Sequence, residues 1–332
     1  MQLPIRIIAV LHKLLGPRML AALLLIASNA HAINTEEVLA PDAEDRRLAV
    51  RIWYPNQPDH ADAVLGMHLP LIVISHGAGG SNDNHVDTAE ALAQAGFVVA
   101  AVTHTGDNYR DLSYVRQRKQ LVERPRQLAR TIDYLLTTWH AHQQLDASRI
   151  GMFGFSAGAF AALIMAGGVP DLRLVTQHCE ASPNAWDCQY LRRNNVPMQP
   201  AAAELTTKWI QDTRIKAAVI AAPALGYTFE PQGLATVHIP IQLWDGGLDH
   251  IVDNSADIVR RLLPAAPDFH REDKAAHYSF LTPCSPTLRE IIHTLIPLGT
   301  EPICDDPSGF DREQFHRTFN SEVVKFFTAQ LH

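Results

Sequence analysis

Hydrophobic positions along this chain follow two alternating rhythms. Short runs that are apolar at nearly every position recur at residues 69–75 (LPLIVIS), 97–102 (FVVAAV), 150–155 (IGMFGF), 215–221 (IKAAVIA) and 239–244 (IPIQLW). Such runs suit strands buried on both faces of a parallel sheet. Residues 46–54 (RRLAVRIWY) alternate and stop at Pro55, which predicts a further strand, and a short one is expected near Phe269. Between the runs the period lengthens. Residues 82–95, 157–166 and 255–263 read as helices. So do residues 125–139, where Leu128, Ile132, Leu135, Leu136 and Trp139 recur at helical spacing with Pro125 near the first turn. Residues 311–331 predict a closing helix: Asp311 and Gln314 resemble a capping box, and Phe315, Phe319, Val323 and Phe327 fall on one face.

Strands alternating with helices imply a mostly parallel sheet covered on both sides, an α/β architecture. Residues 169–214 break the rhythm. They are polar, they follow the 157–166 helix, and they read as an insertion, either a cap over the functional site or a surface excursion.

The first 32 residues stand apart. Arg6, Lys13 and Arg18 precede a short apolar core at residues 19–28, and Ala30-His31-Ala32 offers a small-x-small cleavage site. This predicts a signal peptide at residues 1–32, a mature chain starting near Ile33, and a periplasmic or secreted protein. The alternative is an uncleaved anchor, although the apolar run is shorter than the roughly 20 residues of a stable span. The four cysteines agree with export: Cys179 lies near Cys188, and Cys284 near Cys304, which suggests two local disulfides, with the other pairings open. No spacing matches a zinc site. A net charge of −7 without a basic run argues against nucleic acid as a partner.

Chemistry concentrates at Gly154-Phe155-Ser156-Ala157-Gly158, between an expected strand and an expected helix. A nucleophilic serine on a tight strand-to-helix turn needs small flanking residues, and the helix N-terminus then faces the reacting carbonyl. Ser156 needs a base and an orienting acid. In this arrangement they follow the serine as Asp, then His. Asp249 follows the strand at 239–244 after Gly246 and Gly247, with Asp245 and Asp253 as competitors. His277 lies on the loop after the last expected strand. It is one of 17 histidines; His270 sits too close to that strand, and His293 falls in a helical stretch. Oxyanion donors are expected from the Ala157 N–H and from the loop His76-Gly77-Ala78-Gly79-Gly80, at Ala78 or alternatively Gly77. His76 reads as a residue that fixes this loop.

With these motifs in order, the chain resembles the α/β-hydrolase superfamily. In particular it resembles bacterial secreted proteins described as predicted dienelactone hydrolases, which are similar to the plasma and type II platelet-activating-factor acetylhydrolases. The resemblance is carried by RIWYP, LIVISHGAGG, THTGDN at residues 103–108, GFSAG, DGGLD, AHYSF and DREQFHRTFNSEVVKFF. It implies a single α/β-hydrolase domain over residues 33–332 and esters with short acyl chains, some of them lipid-like. Dienelactone hydrolases proper carry cysteine where this chain has Ser156.

The expectation is therefore a carboxylic-ester hydrolase with Ser156, Asp249 and His277 as its triad. It would act as a monomer on a small-molecule or lipid ester, without metal or organic cofactor. The alternatives are an amidase or peptidase with the same triad, and a binding protein that keeps the fold without the reaction.

Overall fold

The computed structural model describes residues 32–56, 68–295 and 303–332. The expected leader and its cleavage site lie outside these residues, apart from Ala32. Among the described residues eight strands form one sheet: β1 (Ile33–Ala40), β2 (Leu48–Pro55), β3 (Leu69–Ser75), β4 (Val98–Thr103), β5 (Leu145–Phe155), β6 (Ile215–Ala221), β7 (Ile241–Gly246) and β8 (Asp268–Glu272). Their spatial order is β1-β2-β4-β3-β5-β6-β7-β8. β1 and β2 run antiparallel at one edge, β2 is antiparallel to β4, and the remaining pairs are parallel.

The continuous apolar runs are the central strands, and their alternate residues feed two separate cores. On β3, Leu71 and Val73 face one core while Ile72 and Ile74 face the other. The first core receives α2 (Gln120–Thr137) through Leu128, Ile132 and Leu135, α3 (Ala157–Met165) through Phe160 and Leu163, and α8 (Ser255–Leu262) through Val259. The second receives α1 (Val86–Gln94) through Ala89 and Leu92, and α10 (Arg312–Leu331) through Phe315, Phe319, Val323 and Phe327. Those four aromatic and aliphatic residues form the α10 face that the sequence predicts. At its start the Asp311 carboxylate accepts from the Gln314 N–H at 2.9 Å, a side-chain N-cap.

Several boundaries differ from the sequence reading. β1 was not anticipated: its sequence INTEEVLA carries charge and sits at an edge, so it lacks the apolar run that marks the inner strands. α1 starts at Val86, because residues 82–85 form turns. α2 starts at Gln120, five residues before the expected Pro125, so Pro125 lies inside the helix and removes one backbone donor there.

The 169–214 insertion carries α4 (Arg173–Ala181), α5 (Trp186–Arg193) and α6 (Ala202–Leu205), and α7 (Pro231–Leu234) follows β6. A Cys179–Cys188 disulfide joins α4 to α5, and Cys284 is joined to Cys304. The insertion is fastened to two loops. Tyr227, just after β6, stacks on His178 at 3.9 Å and donates to Asp187 at 2.6 Å. Arg118, in the segment after β4, donates to the Pro197 and Met198 carbonyls at 3.0 Å each. Both loops leave the C-terminal ends of parallel strands, the edge on which Ser156 also stands. No helix among the described residues is long and apolar enough to cross a membrane.

Candidate active site

Ser156 links β5 to α3, with φ 55° and ψ −117°. Such a left-handed conformation in a non-glycine residue costs on the order of 1–3 kcal/mol. The small neighbours make it attainable. A Cβ on Gly154 would stand 2.3 Å from the Gly158 carbonyl oxygen, and a Cβ on Gly158 would stand 2.0 Å from the Ser75 carbonyl oxygen. Backbone bonds lock the turn: the Ser156 N–H donates to Ala221 at 3.0 Å, and its carbonyl accepts from Phe160 and Ala224 at 3.1 Å each.

His277 opens a short 3-10 turn, His277–Phe280, after β8. Its Nε2 is 2.9 Å from Ser156 Oγ, and its Nδ1 is 2.7 Å from Asp249 Oδ2. An ionised carboxylate only accepts, so Nδ1 carries the proton and Nε2 is left to accept from the serine hydroxyl. The Phe155 ring lies 4.8 Å from the imidazole and supports its orientation. Asp249 Oδ1 accepts from the Ile251 and Val252 N–H groups at 2.9 and 3.2 Å. Burial pushes the Asp249 carboxyl up, but His277 and these two N–H groups outweigh it and hold the pKa below the usual 3.8. Ser156 and His277 are only 7% and 4% exposed.

The competing residues lie elsewhere. Asp245 accepts from Arg271 Nη1 at 2.6 Å, and burial raises its pKa to about 6. Asp253 is exposed and accepts from the neighbouring Asn254 side chain. His270 is on β8, stacked on Trp244 at 4.2 Å, and His293 is on α9 (Pro286–Leu295) beside Asp305.

The 76–80 loop connects β3 to α1 and passes beside the serine: a Cβ on Gly77 would lie 3.4 Å from Ser156 Cβ. The N–H groups of Gly77, Ala78 and Ala157 have no protein acceptor among the described residues. His76 is a loop-fixing residue. It bonds the Gly77 carbonyl through Nδ1 at 2.6 Å and accepts the His104 N–H through Nε2 at 3.1 Å. Burial first, and then the Arg124 charge, lowers its pKa to about 3, which keeps the ring neutral.

Sequence reasoning missed the frame around these groups. Asp107, inside the THTGDN motif, and Arg124 form an ion pair at 2.8 Å, and the two are 0% and 2% exposed. Next to them His104 joins Ser75 to Gln127 at 2.9 Å on each side. On the other flank, His316 of α10 bridges the Ser279 carbonyl (2.9 Å) and the Asp87 carboxylate (2.6 Å), which anchors the turn that carries His277. Arg124 went unseen because the expected helix began one residue after it. A charged residue on the buried side of an amphipathic helix is the signal that would have found it. Among the described residues the one grouping of metal-binding side chains is His178, Asp187 and Cys188, and its cysteine sulfur is committed to the disulfide.

An eight-stranded sheet in this order, with a strained serine on the turn from β5 into a helix, decides the architecture. The chain has the α/β-hydrolase fold. A sequence model of the dienelactone hydrolase family matches residues 57–197 of the chain. Solved structures similar to it include dienelactone hydrolase from Anabaena variabilis, at 16% identity and TM-score 0.54, covering 91% of this chain and 100% of that one. Another is ferulic acid esterase from Streptomyces cinnamoneus, at 19% identity and TM-score 0.57, covering 90% of each chain. No curated protein sequence matches the chain.

Proposed function

We propose that this α/β-hydrolase is a serine esterase that cleaves carboxylic esters through an acyl-enzyme. The observation that carries this reading is the continuous line from Ser156 Oγ to His277 Nε2 at 2.9 Å and from His277 Nδ1 to Asp249 at 2.7 Å. In the proposed reaction His277 takes the proton from Ser156 Oγ as that oxygen attacks the ester carbonyl. Asp249 holds the imidazole in the required tautomer and stabilises its charged form. The Ala157 N–H and an N–H of the 76–80 loop receive the developing oxyanion, at the N-terminus of α3 where negative charge is favoured. His277 then returns the proton to the leaving alcohol, and water activated by the same base releases the acid. Every proton step uses groups of this chain.

The 169–214 insertion is proposed as the cap that shapes the acyl and alcohol pockets. Its fastening to Arg118, in the segment after β4, and to Tyr227, in the loop after β6, the strand beside β5, supports this. Short-chain and lipid-like esters are the favoured substrates, and the ferulic acid esterase neighbour adds hydroxycinnamate esters to the set to be tested. The two disulfides support a secreted or periplasmic location.

The deciding experiment is p-nitrophenyl acetate hydrolysis by the wild type and by Ser156→Ala, with fluorophosphonate labelling of both. Hydrolysis and labelling by the wild type alone are expected. Equal rates in the two proteins would overturn the role of Ser156. A folded wild type that neither hydrolyses nor labels would favour a binding protein. Preferential cleavage of matched anilides over esters would favour an amidase. Within the esterase reading, a panel of short acyl, short-acyl phospholipid and hydroxycinnamate esters assigns the substrate.

A further inference from the structure

The Asp107–Arg124 pair is buried almost completely, and burying an ion pair is an inefficient way to stabilise a fold, since its desolvation offsets most of the attraction. Its hydrogen bonds point to another use. Arg124 Nη1 donates to the His76 carbonyl at 2.6 Å, and Nη2 donates to the Gly77 carbonyl at 3.1 Å. Those two carbonyls belong to the peptide groups whose opposite ends are the N–H groups of Gly77 and Ala78, the two candidate oxyanion donors of the loop. A trans peptide is planar, so fixing the carbonyl at one end fixes the direction of the N–H at the other. The Gly77 carbonyl is gripped most firmly: besides Arg124 it meets His76 Nδ1 at 2.6 Å and the Gly80 N–H at 3.2 Å. On the far side of Ala78, Asp107 Oδ1 accepts the Gly79 N–H at 2.8 Å, which takes that donor out of the site.

We propose that Arg124 is a positioning residue of this site, which aims the Gly77 and Ala78 N–H groups at the oxyanion and strengthens them by drawing charge from their carbonyl ends. The second effect follows from the cooperativity of hydrogen bonds: an amide whose oxygen accepts from a cation is a better donor at nitrogen, and more so where the dielectric is low. Asp107 keeps Arg124 in place and balances its charge, while its second oxygen selects which loop N–H groups remain free. The inference rests on the ester-hydrolase reading, and it adds a residue that does not touch the substrate.

The test compares substrate turnover with binding of a trifluoromethyl ketone, whose hemiketal oxyanion occupies the place of the intermediate's. Arg124→Lys keeps the charge that Asp107 requires but cannot span both carbonyls. Arg124→Gln combined with Asp107→Asn removes both charges together. Folding of each is verified by circular dichroism and thermal melting. In folded variants kcat is expected to fall about 10-fold or more, with inhibitor affinity falling by a similar factor and KM staying within about threefold, since the donors matter most when the oxyanion forms. Arg124→Lys should recover only part of the loss, because one ammonium replaces a two-pronged fork. If either folded variant keeps wild-type kcat and inhibitor affinity, or loses KM alone, the proposal is overturned. Should neither variant fold, the ¹⁵N-labelled wild type answers instead: with inhibitor bound, the Gly77 or Ala78 amide proton must move strongly downfield, and an unmoved pair of resonances overturns the proposal. Failure of the esterase reading would look different, because the wild type would then be inactive or Ser156→Ala would be active.

Discussion

Gly158 and Ser75 touch backbone to backbone: a Cβ added to Gly158 would stand 2.0 Å from the Ser75 carbonyl oxygen and 2.8 Å from that of His76. The contact sets how closely α3 approaches β3, and with it where Ser156 stands relative to the 76–80 loop. Gly158→Ala must push the helix away. The expected outcome is a loss of about 1–3 kcal/mol in stability from overpacking. A fall of about 100-fold in ester hydrolysis should accompany it, because misplacing Ser156, the proposed nucleophile, by an ångström is that costly. Urea denaturation and p-nitrophenyl acetate turnover measure the two, and wild-type values in both would refute the contact.

Asp249→Asn should lower kcat by about 10⁴-fold while the protein stays folded, because an amide in its place favours the wrong tautomer of His277. Asp245→Asn serves as the control, since Asp245 is turned to Arg271 at 2.6 Å, away from the imidazole. The assignment fails if the two substitutions exchange effects in a steady-state assay.

Acid should weaken the fold before most of its carboxylates titrate. Burial lowers the pKa of His76 and of His85 to about 3 and that of His104 well below 6.5, with the Arg124 charge adding to the effect at His76 and His104. Each folded pKa lies below its unfolded value, so the unfolded chain binds more protons in between. The stability is therefore complete above about pH 6.5 and is lost as pH falls toward 3. Each histidine contributes a slope of about 1.4 kcal/mol per pH unit within that window, roughly 4 for the three together; Asp245, raised to about 6 in the fold, acts in the opposite sense below that pH and offsets about one of the three. Asp249, whose folded pKa is lowered, adds to the loss only below its unfolded 3.8. Urea midpoints taken at pH 7, 6 and 5 should fall steadily, and a flat series would contradict the buried neutral state of these rings.

The Cys284–Cys304 disulfide closes a loop of 20 residues beside Asp306, which accepts from both Ser279 and Arg312. Replacing both cysteines with serine should cost about 3 kcal/mol through loop-closure entropy. Because Ser279 lies two residues after His277, turnover should also become more sensitive to heat. Denaturation curves together with activity after mild heating test this; unchanged curves would show that the bridge adds nothing, and free thiols in the unreduced protein would show that it does not form.

What the sequence by itself determined is whatever depends on neighbours along the chain. The inner strands β3 to β7 were legible because burial on both faces demands unbroken apolar runs, and α10 because its aromatic residues repeat at helical spacing. Ser156 was legible because its turn needs glycine two positions to either side, and Asp249 and His277 because they follow in order after expected strands. The edge strand β1 was not, since a strand paired on one side only can carry INTEEVLA. The sequence favoured Asp249 over Asp245 by its glycines, but only the tertiary structure gave each its partner, because what separates them is direction: one points to His277 and the other to Arg271. It alone joined Arg124 to the Gly77 carbonyl, 47 residues away in sequence. Local pattern records which residues will be buried, but the partner of a buried charge is chosen where distant segments meet, and no periodicity along the chain encodes that meeting.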